Sequence, residues 1–217
     1  MGQFATNGGL SRALFQCVNN FVGHWRGGVA MAAVGACGAF GAICGSSLAT
    51  AATMGQVALP ELKRFRYSGA LSTGALAAGG TLGILIPPSV PLVIYAVLTQ
   101  ESMGKLFMVA VVPGVIALIG YMLVIRIVVT LNPEAGPAGP KVALDERLRS
   151  LVNVAPVIFV FLVVIVGIYA GWANPTEAAS IGVGACGILA ILNGMRKDGV
   201  VRSLLGTAEA TAMIFLV

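Results

Sequence analysis

Charge is what this 217-residue chain has least of: lysine and arginine number 13, aspartate and glutamate 8, together 10% of the residues. A water-soluble domain carries about 25%, so that class is excluded. Histidine occurs once, at His24, and aromatic residues make up 7%. Nucleophilic chemistry that joins a serine or cysteine to a histidine base has a single candidate base, and an intramembrane serine protease built on Ser46 or Ser47 lacks a histidine later in the chain. The four cysteines, Cys17, Cys37, Cys44 and Cys186, form no C-x-x-C pair and read as small packing residues. No Walker loop and no Rossmann fingerprint is present, so nothing supports direct use of ATP or NAD, and no enzyme activity is expected. Residues 1–9 lack the charged start and apolar stretch of a cleavable signal peptide, and Met1-Gly2 with Thr6 fits a myristoylation pattern only loosely.

Long uncharged runs fill the space that charge leaves. They extend over 27–60, 67–100, 106–125, 150–176, 178–195 and 210–217, and most reach or pass the ~20 apolar residues that cross a bilayer. The sequence therefore specifies an all-α integral membrane protein with several crossings. The net charge is +5, but the basic residues flank apolar runs and form no solvated face, which sets nucleic acid aside and makes the lipid bilayer the first partner.

The basic residues also orient the chain. If the run 27–60 spanned once, Arg26 and the Lys63-Arg64-Arg66 cluster would fall on opposite faces, against the positive-inside rule. If it enters and leaves on the same face, only Lys105 of the thirteen basic residues lies outside. Length agrees. One helix from Val29 to Pro60 would measure roughly 48 Å against a ~30 Å hydrocarbon core, and two full crossings need ~40 residues. The run is expected to be a re-entrant hairpin of two half-helices whose tip lies within Ala42–Thr50, where small and polar residues collect.

The next run, 67–100, carries Pro87-Pro88-Ser89-Val90-Pro91. Three prolines in five residues remove three backbone donors, so a discontinuous transmembrane helix is expected there. Gly79-Gly80-Thr81-Leu82-Gly83 just before it permits close helix contact. Residues 106–125 read as a plain crossing with one proline, Pro113, and 127–149 as a cytoplasmic loop around the Pro/Gly-rich linker Asn132–Lys141. Residues 151–171 read as a lipid-facing crossing, with Trp172 at the outer interface. Asn174 or Thr176 is expected to cap the returning helix 178–195, with Glu177 near its positive end. Residues 203–217 begin a further helix. Residues 10–25 place Leu10, Leu14, Phe15, Val18, Phe21, Val22 and Trp25 on one side, with Ser11, Arg12, Gln16, Asn19 and Asn20 on the other, as in an amphipathic interfacial helix with His24 at its end.

Two breaks at similar depth, the Gly45-Ser46-Ser47 tip with Thr50 and the Pro87-Pro88-Ser89 interruption, expose carbonyls and hydroxyls able to replace the hydration shell of a small cation. Half-helix N-termini at the same depth suit an anion.

Phe40–Thr53, Gly80–Leu92 (GTLGILIPPSVPL) and Asn174–Ala179 (NPTEAA), in this order and spacing, resemble the large membrane subunit (DctM-like) of the tripartite ATP-independent periplasmic (TRAP) transporters. The resemblance covers essentially the whole chain. It implies an elevator-type, inverted-repeat secondary transporter in the cytoplasmic (inner) membrane of a bacterium or archaeon. Such a transporter couples to a sodium gradient and imports organic acids such as a C4-dicarboxylate or sialic acid. It implies a small membrane subunit (DctQ-like) and a periplasmic substrate-binding protein as partners, and no cofactor beyond the coupling Na+. By similarity, Gly45, Ser46, Ser47, Thr50, Gly83, Pro87, Pro88 and Ser89 line the sodium and substrate region, with Ser46, Ser47 and Ser89 on the ion. The expected divisions are an interfacial arm over 1–26, a transport part over 27–104 (hairpin 27–60, interrupted helix 67–100), a scaffold over 105–202 and the start of another helix over 203–217. The family's inverted repeat is roughly twice this length, so the chain is read as its central half. A channel or another ion-coupled carrier of broken-helix design is the alternative, and an inactive truncated subunit a further one.

Overall fold

The computed structural model describes residues 2–172, 174–195 and 197–216; Met1, Arg196 and Val217, used in the myristoyl, charge and terminal-helix readings above, lie outside the described residues. The described residues are helical and contain no strand. The helices are α1 (Gly2–Asn7), α2 (Leu10–Val22), α3 (Gly28–Cys44), α4 (Ser47–Arg64), α5 (Gly69–Leu85), α6 (Val90–Thr99), α7 (Met103–Leu131), α8 (Leu144–Tyr169), α9 (Pro175–Leu192) and α10 (Lys197–Leu216), with a short 3-10 turn at Pro133–Ala135. Three stretches are long and apolar enough to cross a membrane: Gly69–Thr99, Met103–Leu131 and Leu144–Tyr169. The chain is a multi-pass, all-α membrane protein.

It divides into two compact units, Ser11–Ala155 and Met1–Leu10 with Pro156–Val217. In the first, α3 is the axis. Its sequence is glycine, alanine and other small residues with no polar side, so it can be enclosed by close neighbours on every face. Val29, Ala30, Ala32, Ala33, Val34, Ala36, Cys37 and Phe40 are all fully buried. The helices packed on α3 are α4, α5 and α7, and α4 also packs along α5. On α4 the buried positions Thr50, Met54, Ala58 and Leu62 recur every fourth residue, one helical face, while Leu48 stands exposed. The unit takes in α7, which the sequence assigned to the scaffold.

Several boundaries differ from the sequence reading. The second half of the hairpin continues through Pro60 to Arg64, because the ring sits on the exposed side of α4, as does Gln56, whose carbonyl would have been its partner. Helix α7 passes through Pro113 and reaches Leu131, so the irregular stretch before α8 is 132–143, shorter than 127–149. That stretch is also tied down. The Gly27 N–H donates to the Gly136 carbonyl (3.0 Å), the Ser68 N–H to Ala135 (3.0 Å) and the Gly139 N–H to Gly23 (2.9 Å). Tyr67 completes the strap: its hydroxyl donates to the Pro137 carbonyl (2.8 Å) and accepts from the Val29 N–H (3.2 Å). The base of the hairpin, the start of α5 and the end of α7 are thereby joined by the segment that composition marked as a linker.

The expected single arm over 1–26 is two helices, separated at Gly8–Gly9 with Gly9 at φ +75°. The buried face of α2 is Leu10, Ser11, Leu14, Phe15 and Cys17, whereas Phe21 and Trp25 are exposed by 39% and 48%. The face is rotated toward Ser11 and Cys17, 3% and 7% exposed.

In the second unit α1 packs on α9 and α10. Asn7 donates its side-chain amide to Ser203 Oγ (2.8 Å). Ala178, Cys186 and Ala190 form the buried stripe of α9, and the helix starts at a capping box in which the Asn174 N–H donates to Glu177 Oε2 (2.8 Å). The cap is on Asn174, one of the two residues expected.

Candidate functional site

Both chain breaks follow from local sequence. At the hairpin, α3 ends where Gly45 adopts φ +67°, a left-handed conformation that costs glycine little, and its N–H closes on the Gly41 carbonyl (2.7 Å). Ser46 is extended and caps α4, its hydroxyl accepting from the Ala49 N–H (3.4 Å). At the interruption, α5 stops at Leu85 because Pro87 and Pro88 have no N–H with which to bond the carbonyls of Gly83 and Ile84, four residues earlier. The Pro87-Pro88 peptide is cis. Ser89 is extended, and α6 begins with Pro91 in its first turn.

The two breaks meet. The Val90 N–H at the start of α6 donates to the Gly45 carbonyl (3.2 Å). A Cβ placed on Gly45 would lie 2.7 Å from the Pro88 carbonyl oxygen. One on Gly83 would lie 2.6 Å from Thr50 Oγ1 and 2.7 Å from the Ser46 carbonyl oxygen. One on Gly41 would lie 2.6 Å from the Gly83 Cα, and one on Gly80 2.7 Å from the Ala51 Cβ. Bare backbone is what lets the hairpin tip press into the interruption.

Gly45, Ser46, Thr50, Gly83, Pro88 and Ser89 therefore converge on one locus. Pro87 is buried beside them, whereas Ser47 is half-buried and contributes its carbonyl to the contact with Gly80. Thr50 is fully buried and Ser89 is 1% exposed. Thr50 Oγ1 and Ser89 Oγ are both enclosed and have no hydrogen-bond partner. An unmade hydrogen bond on a buried hydroxyl costs roughly 1–3 kcal/mol, so two at one junction call for a partner. The ends of α3 and α5 bring negative partial charge to it, and the starts of α4 and α6 bring positive.

Among the described residues no three of histidine, cysteine, aspartate and glutamate gather into a metal-binding group. The donors at the junction are neutral oxygens, which suit a hard cation of low charge better than a divalent one that carboxylates must neutralise. The close helix contact expected of Gly79–Gly83 is present, at Gly80 against Ala51 and at Gly83 against Thr50 and Ser46, whereas sequence reasoning missed Gly41. The spacing of Gly41 and Gly45, a small residue four before another, was the available signal.

A helical hairpin whose tip presses into a proline-broken crossing places two interrupted helices against each other in a multi-pass membrane protein. The family model described as "Tripartite ATP-independent periplasmic transporter, DctM component" matches residues 1–217. The chain belongs to that family. It is 39% identical to the C4-dicarboxylate TRAP transporter large permease protein DctM of Pseudomonas aeruginosa, across 100% of this chain and 51% of the relative. To the ectoine TRAP transporter large permease protein TeaC of Halomonas elongata it is 34% identical, across 86% of this chain and 42% of the relative. To the sialic acid TRAP transporter large permease protein SiaM of Vibrio cholerae it is 29% identical, across 99% and 50%. The chain spans about half the length of these curated relatives.

Proposed function

We propose that the chain is part of the permease of a sodium-coupled, binding-protein-dependent secondary transporter that imports organic acids. The hairpin α3–α4 is re-entrant, the chain lies in the cytoplasmic membrane of a bacterium or archaeon, and it works with a small membrane subunit and a periplasmic binding protein. Relatives named for C4-dicarboxylate and sialic acid support carboxylates as the substrate class. The relative named for ectoine broadens the class to other small solutes. The observation that carries the proposal is the pair of enclosed, unpartnered hydroxyls of Thr50 and Ser89 where the two chain breaks touch.

These two hydroxyls, with the free carbonyls of Gly83 and Ile84, are the ligands the reading favours for Na+. Ser46 is a weaker ligand because its hydroxyl already caps α4, and Ser47 is weaker because it is only half-buried. A bound ion relieves the desolvation of both hydroxyls and fixes the tip against the interruption, which is how ion binding couples to movement of the hairpin.

The test is uptake by the full-length transporter as a function of sodium. Thr50→Val keeps the shape and removes the hydroxyl; Ser89→Ala does the same at the other break. Each is expected to raise the half-saturating sodium concentration about fivefold or more, from roughly 1–3 kcal/mol per lost ligand. Ser47→Ala should change it little. Unaltered sodium dependence in both Thr50→Val and Ser89→Ala rejects the site.

A further inference from the structure

Two arginines stand together away from the junction. Arg26, in the turn before α3, and Arg126, near the end of α7, line one cavity of about 540 Å3 with Trp25, Val129 and Thr130. All five belong to the same compact unit. Among the described residues the one ion pair is Arg64 with Glu61, so neither guanidinium has an acid beside it. Both arginines are exposed, and the Thr130 hydroxyl is already engaged, donating to the Arg126 carbonyl. Two uncompensated guanidiniums in one cavity repel each other and attract an anion. Their planar forks match phosphate oxygens in pairs.

The setting decides which phosphate. Arg126 lies nine residues past the middle of α7, roughly 14 Å at ~1.5 Å per residue, which is the edge of a ~30 Å hydrocarbon core. Ile119 and Leu123 stand seven and three residues before it on the same face, exposed by 52% and 53%. An apolar strip thus leads from the cavity toward the membrane middle. Trp25 is 48% exposed, with its ring held edge-on against His24 at 5.6 Å between centroids, the amphipathic ring suited to the headgroup level.

We infer that this cavity holds the headgroup of an anionic phospholipid, its phosphate between Arg26 and Arg126 and an acyl chain along Ile119 and Leu123. So bound, the lipid bridges the base of the hairpin to α7. Basic pockets between transmembrane helices recognise such headgroups, with each arginine contributing about fivefold in affinity.

The test uses the full-length permease in nanodiscs with Trp25 as its only tryptophan, the others being replaced by phenylalanine. Quenching of Trp25 by dibrominated phosphatidylglycerol is compared with quenching by phosphatidylcholine brominated at the same positions. The expected result is a preference for phosphatidylglycerol of roughly twentyfold in half-quenching mole fraction. It should be lost in R26Q/R126Q and kept only in part in R26K/R126K, where the charges remain and the paired forks do not, which separates loss of charge from misfolding. Equal quenching by the two lipids in the unaltered arginine background overturns the inference. So does competition by millimolar inorganic phosphate, which would mark a free-anion site. Loss of quenching once the small subunit is added overturns it as well, since a protein would then cover the cavity.

Discussion

The packing of the junction rests on Gly83, and replacing it gives the sharpest structural test. In Gly83→Ala the new methyl would lie 2.6 Å from Thr50 Oγ1 and 2.7 Å from the Ser46 carbonyl oxygen, with the Ser46 carbonyl carbon at 3.1 Å. The hydroxyl could rotate away; the backbone of Ser46 cannot, because its carbonyl accepts the Thr50 N–H (3.0 Å) that starts α4. Overpacking of this kind costs about 1–3 kcal/mol, against which the better helix propensity of alanine returns at most ~1 kcal/mol. The net expectation is a loss of about 1–2 kcal/mol. Gly74 lies on the same helix, and a methyl added there would meet nothing within 4 Å, so Gly74→Ala receives the propensity gain alone. Thermal unfolding of the two full-length variants in detergent should therefore move in opposite directions, about 2–3 °C apart, because a chain roughly twice this length shifts by only about 1 °C per kcal/mol. Gly83→Ala should in addition impair sodium-dependent uptake, because the tip is pushed off the interruption. Equal unfolding temperatures for the two variants would refute the close approach of α4 to α5.

Three other perturbations have defined outcomes. Gly45→Ala meets both an unfavourable φ of +67° and the Pro88 carbonyl at 2.7 Å, so it should lower the unfolding temperature at least as far as Gly83→Ala does. Tyr67→Phe leaves the Val29 N–H and the Pro137 carbonyl without their partner, at a cost of about 1–3 kcal/mol, and limited proteolysis within 132–143 should accelerate. Burial raises the Tyr67 phenol above its ordinary value of 10.0, with the Val29 N–H offsetting part of the shift. The folded state then holds this proton more tightly than the unfolded one, so stability from Tyr67 is complete below pH 10.0 and falls as pH rises through the raised value, a decline Tyr67→Phe should lack. Glu177→Ala removes the acceptor of the Asn174 N–H and should speed amide exchange in the first turn of α9, at a cost near ~0.5–1 kcal/mol in this exposed setting.

Much of this architecture is legible in the sequence because chain breaks are written locally. The expected tip within Ala42–Thr50 contains the observed turn at Gly45–Ser46, and the proline triplet stops α5 where its missing N–H groups require. The capping residues at 174–177 are equally local. What eluded the sequence is long-range. Residues 132–141 have the composition of a free linker, yet their carbonyls are claimed by Gly27, Tyr67 and Ser68, residues far away in sequence. The buried face of α2 takes in Ser11 and Cys17 through tertiary packing, and the contact of Gly41 with Gly83 depends on two helices meeting. Thr50 is partly legible: the series 50, 54, 58, 62 puts it on the buried stripe of α4, ahead of Ser46 and Ser47, to which the family resemblance assigns the ion.

A sodium ion bound as proposed between the hairpin tip and the interrupted helix would hold both segments against local opening. Amide hydrogen exchange of the full-length transporter, measured in sodium and in choline at equal ionic strength, reads that opening. Exchange should be slower in sodium at residues 44–50 and at 86, 89 and 90, with no comparable change along α8, and that protection should be lost in Thr50→Val/Ser89→Ala. Identical exchange of both segments in the two salts would contradict the proposal.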